Sequence, residues 1–297
     1  MGAVAEDDHL ILVTGGTGSI GRPLLDELVE AEAAARVLVR DRTGSSDPDS
    51  SLELVTGDLD RPATLRPALE GVSRVFLLAP GPDVTAQDAA VIRAAAQAGV
   101  EHLVMVSSLG AELGGIAGGR SHLPGEALLR ESGLAWTVLH PSEFMTNTIR
   151  WRDTILSAGS IFLPTGTGRV GFVDPADIAA VAAHVLTTNG HHEKTYRITG
   201  PEALSTAEVA GHLADVLGRT VDHVDLPEAN FRSSLERAGL PAFLIDLQIE
   251  YCAAVRAGTV DIVSPDVPVL LGRPATDYRT WARAHAAAFA GAPVGAR

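Results

Sequence analysis

Apolar residues along this chain come in short unbroken runs, separated by stretches where they recur every three or four positions. The first run, 9–13, ends at Thr14-Gly15-Gly16, and apolar residues at helical spacing follow over 20–31. The same pattern predicts strands at 36–39, 52–55, 75–78, 102–106 and 134–139, with helices at 62–69, 85–98 and 125–131 between them. Strands alternating with helices in this way predict parallel βαβ units, hence an α/β fold with a doubly wound parallel sheet and helices on both faces. Such a sheet binds ligands beyond the carboxyl ends of its strands.

The alternation lapses after about residue 150, so 1–150 reads as one domain, completed by about 170–200. Asp174-Pro175-Ala176-Asp177 has the form of a helix start, with 178–186 as its apolar body, and 196–199 predicts a seventh strand. Ser205 followed by Glu208 is a capping box opening a helix over 205–217. Five prolines (Pro227, Pro241, Pro265, Pro268 and Pro274) break the rest into short helices, so 201–297 predicts a smaller, mainly helical region for substrate binding. Phe231, Phe243, Leu244, Ile245, Tyr251, Cys252 and Trp281 are its expected core. Six glycines within 110–125 predict a mobile loop after the fifth strand.

The segment Thr14-Gly15-Gly16-Thr17-Gly18-Ser19-Ile20-Gly21 places glycines three apart at the first strand-to-helix turn. Glycines there let the backbone approach a pyrophosphate, and the helix directs free N–H groups and its positive dipole end at the anion. About 20 residues on, where such a site reads the ribose, stand Arg40, Asp41 and Arg42. A guanidinium holds a 2′-phosphate bidentately, so Arg40 favours NADP(H), while Asp41 would suit the ribose hydroxyls of NAD.

These residues, with Val37-Leu38-Val39-Arg40-Asp41, Gly57-Asp58-Leu59, Val106-Ser107-Ser108-Leu109-Gly110-Ala111, Gly133 to Leu139, Tyr196 to Glu202 and Gly272-Arg273-Pro274, resemble the NmrA-like branch of the short-chain dehydrogenase/reductases. The resemblance implies a Rossmann fold. It also implies that Asp58 and Leu59 flank the adenine, that Leu78, Ala79 and Pro80 line the ribose and diphosphate, and that Pro141 to Phe144 flank the nicotinamide. C-terminal elements of the family cover the substrate, which implies a lid over 225–255.

In that superfamily a Ser after the fifth strand polarises the substrate carbonyl, and a Tyr-x-x-x-Lys pair hands over a proton. Ser108, with Ser107 beside it, fits the first role. The pair is missing: Lys194 is the sole lysine, and Gly200, Val255 and Ala282 stand four residues after Tyr196, Tyr251 and Tyr278. His122-x-x-x-Glu126 fills the slot, and His140 replaces the family's usual Arg before the Pro of the sixth strand. An imidazole titrates near neutrality, which makes His122 a candidate proton donor. A substrate phenol beside the ketone is another.

The chain is therefore expected to reduce a carbonyl of a bulky aromatic, polyketide-type (angucyclinone-like) substrate with NADPH, as in antibiotic biosynthesis. Quinone reduction and a non-catalytic NADP(H)-sensing regulator are the alternatives. An isoflavone-reductase-like activity is disfavoured because it relies on a catalytic Lys.

Charge and composition narrow the partners. Over 297 residues, 37 acids against 23 bases leave a net charge of -14, which disfavours nucleic acid and acidic membrane surfaces. One cysteine makes no internal disulfide, the acidic start is unlike a signal peptide, and no apolar run approaches a membrane span, so a cytoplasmic protein is expected. No histidine pair has zinc spacing, so no metal is expected.

Overall fold

The computed structural model describes residues 9–41, 52–81 and 83–290; Arg42 and the acidic start lie outside them. Its strands are β1 (Ile11–Val13), β2 (Ala35–Val39), β3 (Glu53–Thr56), β4 (Arg74–Leu77), β5 (His102–Val106), β6 (Ala135–Pro141), β7 (Ser160–Phe162), β8 (Arg169–Val170), β9 (Lys194–Ile198), β10 (Leu204–Ser205) and β11 (Asp222–Val224). Seven of them form one sheet in the order β3-β2-β1-β4-β5-β6-β9. From β3 through β6 the pairings are parallel, with Val13 level with Val37 on one side and Phe76 on the other. At the β9 edge Glu193 N bonds Trp136 O and Ser142 N bonds Ile198 O, so the register advances in the same sense on both strands. The doubly wound expectation is met.

Burial explains why the central strands read as unbroken apolar runs. β1, β4 and β5 are buried at every position, because helices cover both faces of a parallel sheet. The helix Gly21–Glu30 turns Leu24, Leu25 and Leu28 inward at helical spacing. Asp83 caps Val84–Ala98 by accepting from Ala86 N, and Gly99 ends that helix at φ +78°.

The chain divides into two compact units, and the division differs from a boundary near residue 150. One unit holds residues up to 107, 121–140 and 178–196; the other takes 108–120, 141–177 and everything from 197 onward. The second unit recruits the loops that leave the ends of β5 and β6, a chain crossing that a linear scan for domain boundaries does not detect. Its core gathers Met145, Trp151, Val209, Leu213, Tyr278, Trp281 and Phe289. A satellite cluster joins Phe231, Ile245, Ile249 and Cys252. The capping box of Thr206–Leu217 is present, with Ser205 and Glu208 bonded reciprocally.

Two expectations need correction. Phe243 and Leu244 are not core: they open the helix Ala242–Arg256 and are 64% and 39% exposed. The glycine-rich stretch after β5 is folded, with helical turns at Leu109–Glu112 and Ala117–Ser121 and then the helix Leu123–Glu131. Its glycines serve close approach: a Cβ on Gly119 would strike the Gly110 and Ala111 backbone, and one on Gly125 would meet Asp88 Oδ2 at 2.5 Å.

Candidate active site

The first unit supplies an anion cradle. The Thr14 hydroxyl accepts from Leu78 N (2.8 Å) and donates to Leu78 O (3.0 Å), tying the end of β1 to that of β4. Gly15 turns the chain at φ +68°, where a side chain would be strained. Gly18 N donates to Gly15 O at 3.0 Å, while Thr17, Gly18 and Ser19 are exposed. A Cβ on Gly21 would strike the Gly15 carbonyl, so only glycine lets the helix start against the loop. Ile20, at the N-cap, is buried and gives no side-chain cap, and the first turn carries no acid. That leaves the positive end of a ten-residue helix facing the loop without a competing carboxylate. These residues fit a dinucleotide pyrophosphate. Gly21→Ala is expected to weaken NADPH binding about 10- to 100-fold by displacing the loop, measured by fluorescence titration; unchanged affinity would refute the cradle.

Around it, Arg40 and Asp41 are exposed at the end of β2. Asp58 accepts from Asp60 N (3.1 Å), and Leu59 is packed into the sheet's core. Leu78 and Ala79 are half-buried and Pro80 is exposed. Gln87 receives a bond from Gly81 N (3.0 Å) and donates to Asp60 (2.8 Å), joining the loops that follow β4 and β3.

In the slot of the missing Tyr-x-x-x-Lys pair stands a buried carboxylate. Glu126 Oε1 accepts from Ser107 Oγ at 2.5 Å and lies 2.8 Å from His140 Nε2, and Oε2 meets Arg130 at 2.8 Å. Burial alone would raise its pKa, but the bonds from His140 and Ser107 outweigh burial and bring it down to about 2. Beside it Asp88, also buried, is pushed up to about 7 by burial first and then by Glu126's charge. Its Oδ2 has no hydrogen-bond partner among the described residues. Two carboxyls with pKa values driven apart in one place mark a functional-site candidate.

This geometry reassigns the sequence candidates. Ser107's single proton is committed to Glu126, so Ser107 orients that carboxylate and is not a free donor to a carbonyl. Ser108, in the second unit, accepts from Gly110 N at 3.1 Å to cap Leu109–Glu112 and keeps its own proton to donate. His122 is at the N-cap of Leu123–Glu131, its Nδ1 buried without a partner among the described residues. Burial lowers its pKa, with Glu126 opposing and His140 adding to the effect, so His122 is neutral at pH 7 and a weak acid there. Glu126 is not its partner, as the i,i+4 spacing suggested, but that of Ser107 and His140, 19 and 14 residues away.

In the second unit, Pro141 is buried and Phe144 half-buried. Val173 N bonds Glu143 O (2.9 Å) and Met145 N bonds Val173 O (2.8 Å), so the segment is held extended. Glu143 accepts from Asn147 Nδ2 (3.1 Å) and Arg150 Nη2 (2.7 Å). The Gly272-Arg273-Pro274 motif also finds its purpose: Arg273 and Thr276 N both bond the fully buried Asp177 at 2.7 Å. Asp88, Arg130 and Asn147 were not legible as site residues; the His140 replacement hinted at His140, and Glu143 was named only within the Pro141 to Phe144 segment.

Residues 15–189 match the model of an NAD(P)H-binding family. The chain belongs to that family. Across its length this NAD(P)H-binding protein is 38% identical to an NAD(P)H azoreductase of Xenophilus azovorans, covering 95% of this chain and 100% of that one. It is 37% identical to a (4-alkanoyl-5-oxo-2,5-dihydrofuran-3-yl)methyl phosphate reductase of Streptomyces griseus, covering 95% and 99%. Its fold matches an NADPH-dependent quinone oxidoreductase from Escherichia coli complexed with NADPH, with a TM-score of 0.85 at 26% identity over 93% of this chain and 99% of that one. Among the described residues no helix is long and apolar enough to cross a membrane.

Proposed function

We propose that this protein is an NADPH-dependent reductase of small conjugated aromatic acceptors, with quinones as the leading class. The observation that carries this reading is the missing family donor: there is no Tyr-x-x-x-Lys pair, Ser107's proton is held by Glu126, and His122 is neutral. A bound nicotinamide supplies a hydride. A quinone that takes up one hydride and one proton leaves as a hydroquinone, and the gain in aromaticity lessens the demand for a strong acid. Ser108 is the hydroxyl left to polarise an acceptor oxygen. The relatives that reduce azo and quinone substrates support this class.

An aromatic ketone of polyketide type meets the same deficit if a neighbouring phenol supplies the proton, so it is the second reading. Thr17, Gly18, Ser19 and Ile20 would bind the pyrophosphate, Asp58, Leu59 and Leu78 to Pro80 the adenosine half, and Pro141 and Phe144 the nicotinamide. NADPH oxidation with menadione, an azo dye and an aromatic ketone tests the proposal; tight NADPH binding with no turnover of any would favour a sensor.

Arg40 is assigned the 2′-phosphate. Arg40→Ala is expected to weaken NADPH about 10- to 100-fold, the worth of a lost charge-assisted contact, with NADH unchanged. Equal weakening of both cofactors in parallel titrations would overturn that assignment.

A further inference from the structure

Two buried polar atoms of the first unit lack partners among the described residues, and both belong to one seam between helices. They are Asp88 Oδ2, on Val84–Ala98, and His122 Nδ1, at the start of Leu123–Glu131. Thr85 Oγ1 donates to Ser121 O at 3.0 Å, which ties the two segments one residue before His122. One turn further along Val84–Ala98, Asp88 Oδ2 lies 2.5 Å from where a Cβ on Gly125 would stand. His122 falls between these two points of contact, three residues before Gly125 and on the same side of the helix. Asp88 is 1% exposed and His122 is half-buried with Nδ1 inward, so Nε2 is the ring nitrogen left to face outward.

The two groups are chemically complementary. Burial, opposed by Glu126 and reinforced by His140, keeps the His122 ring neutral, with a proton on one nitrogen and a lone pair on the other. Burial first, and then the charge of Glu126, lifts Asp88 to about 7, so its carboxyl holds a proton up to neutral pH. A protonated carboxyl needs an acceptor, and an inward imidazole lone pair needs a donor. Glu126 stays ionised beside them because Ser107, His140 and Arg130 all bond it. Elsewhere the elements packed on Val84–Ala98 bring apolar residues to it, Leu65 and Ala68 on one side and Val75 and Leu77 of β4 on the other. Ser107 directly follows β5 and bonds Glu126 one turn from His122, which puts this seam at the carboxyl end of the sheet, where such folds bind ligands.

We infer that Asp88 supplies the proton of the reduction through His122, whose Nε2 gives its proton to the acceptor oxygen while Nδ1 takes the proton of Asp88. The inference rests on the proposed reductase function. Once the acceptor has taken a hydride, its oxygen gains a bond to the Nε2 proton as the Nε2–H bond breaks, and an Nδ1–H bond forms as the Asp88 O–H bond breaks. The imidazole is neutral before and after, so its weak acidity is no obstacle; a neutral ring that lost a proton without regaining one would be left an anion. Asp88 ends as a carboxylate next to Glu126, whose repulsion favours reprotonation from solvent. Rotation of the ring, or one bridging water, joins Oδ2 to Nδ1. His122 is the group at the acceptor, and Asp88 acts through it without touching substrate.

Asp88→Asn on the full chain preserves the shape of the side chain and has no acid proton to release. Its kcat for menadione with NADPH is expected to fall about 100-fold, the lower end of general acid catalysis, while NADPH affinity holds. Wild-type kcat is expected to decline as pH rises through about 7, because Asp88 must be protonated to act, whereas the slower variant is expected to show no break there. His122→Gln is expected to lose about as much, and the double variant no more than either alone, since both residues serve one transfer. A break near pH 7 that persists in Asp88→Asn, a loss below about threefold, or losses that multiply in the double variant each overturns the inference. Absence of quinone reduction by the wild type removes the reductase reading, and the nitrogen NMR resonances of the His122 ring then decide the pair. A titration near pH 7 that Asp88→Asn abolishes upholds the proton coupling, and one that it leaves unchanged overturns it.

Discussion

Glu126→Ala is expected to destabilise the protein by about 3–5 kcal/mol, because removing one member of a buried charged group leaves the others desolvated. Ser107 and His140 are themselves buried and both bond Glu126 Oε1. Arg130 is partly exposed and regains water, so the loss concentrates on the other two. Glu126→Gln keeps an oxygen to accept from Ser107 and His140 but turns an amide toward Arg130, and it is expected to lose roughly half as much. Urea unfolding at unchanged m-value measures both. The wild-type carboxylate has its pKa depressed from 4.5 to about 2, so its contribution is complete above pH 4.5 and fades as the pH falls toward 2. The gap between wild type and variant should close over that window. A loss below about 1 kcal/mol at pH 7 would mean that the three bonds do not act together.

Asp88→Asn is expected to move stability the other way. Asp88 is raised from 3.8 to about 7, so between those values the unfolded chain has released a proton that the folded chain retains. Stability therefore falls as pH rises through that window, and the penalty is complete above about pH 7. Asparagine does not titrate, so the variant should be more stable than wild type by about 2 kcal/mol at pH 5 and about 4 kcal/mol at pH 8. Denaturation midpoints across this range test it, and a pH-independent difference would refute it. Glu126's charge contributes to the shift, so the double variant Asp88→Asn, Glu126→Ala should be non-additive. A carboxyl retained at such cost fits the compromise between stability and activity found at functional sites.

The same pair shows where sequence reading stops. Glu126 was visible only as a neighbour of His122 one helical turn away, since local spacing is all a linear chain displays. Its partners come from the end of β5 and from β6, which lie side by side because Val106 is level with Leu139 in the sheet. Asp88 carried no signal, being one polar residue on a helix of good formers. The glycines of 110–125 looked like flexibility, and only packing distinguishes a glycine needed for close approach from one needed for motion. Phe243 and Leu244 looked like core because apolar identity does not report which side of a helix has something to cover it.

By itself the sequence determined the parallel αβ alternation, the glycine cradle at the first strand-to-helix turn, the capping box at Ser205 and the lack of a Tyr-x-x-x-Lys pair, because each depends on residues near one another in the chain or on a count. Only the tertiary structure decided that Ser107 donates its hydrogen bond to Glu126 and that Asp88 is buried within reach of that charge. Those facts depend on burial and on contacts between elements far apart in sequence, where the strength of an interaction is set by the water removed and the groups that replace it.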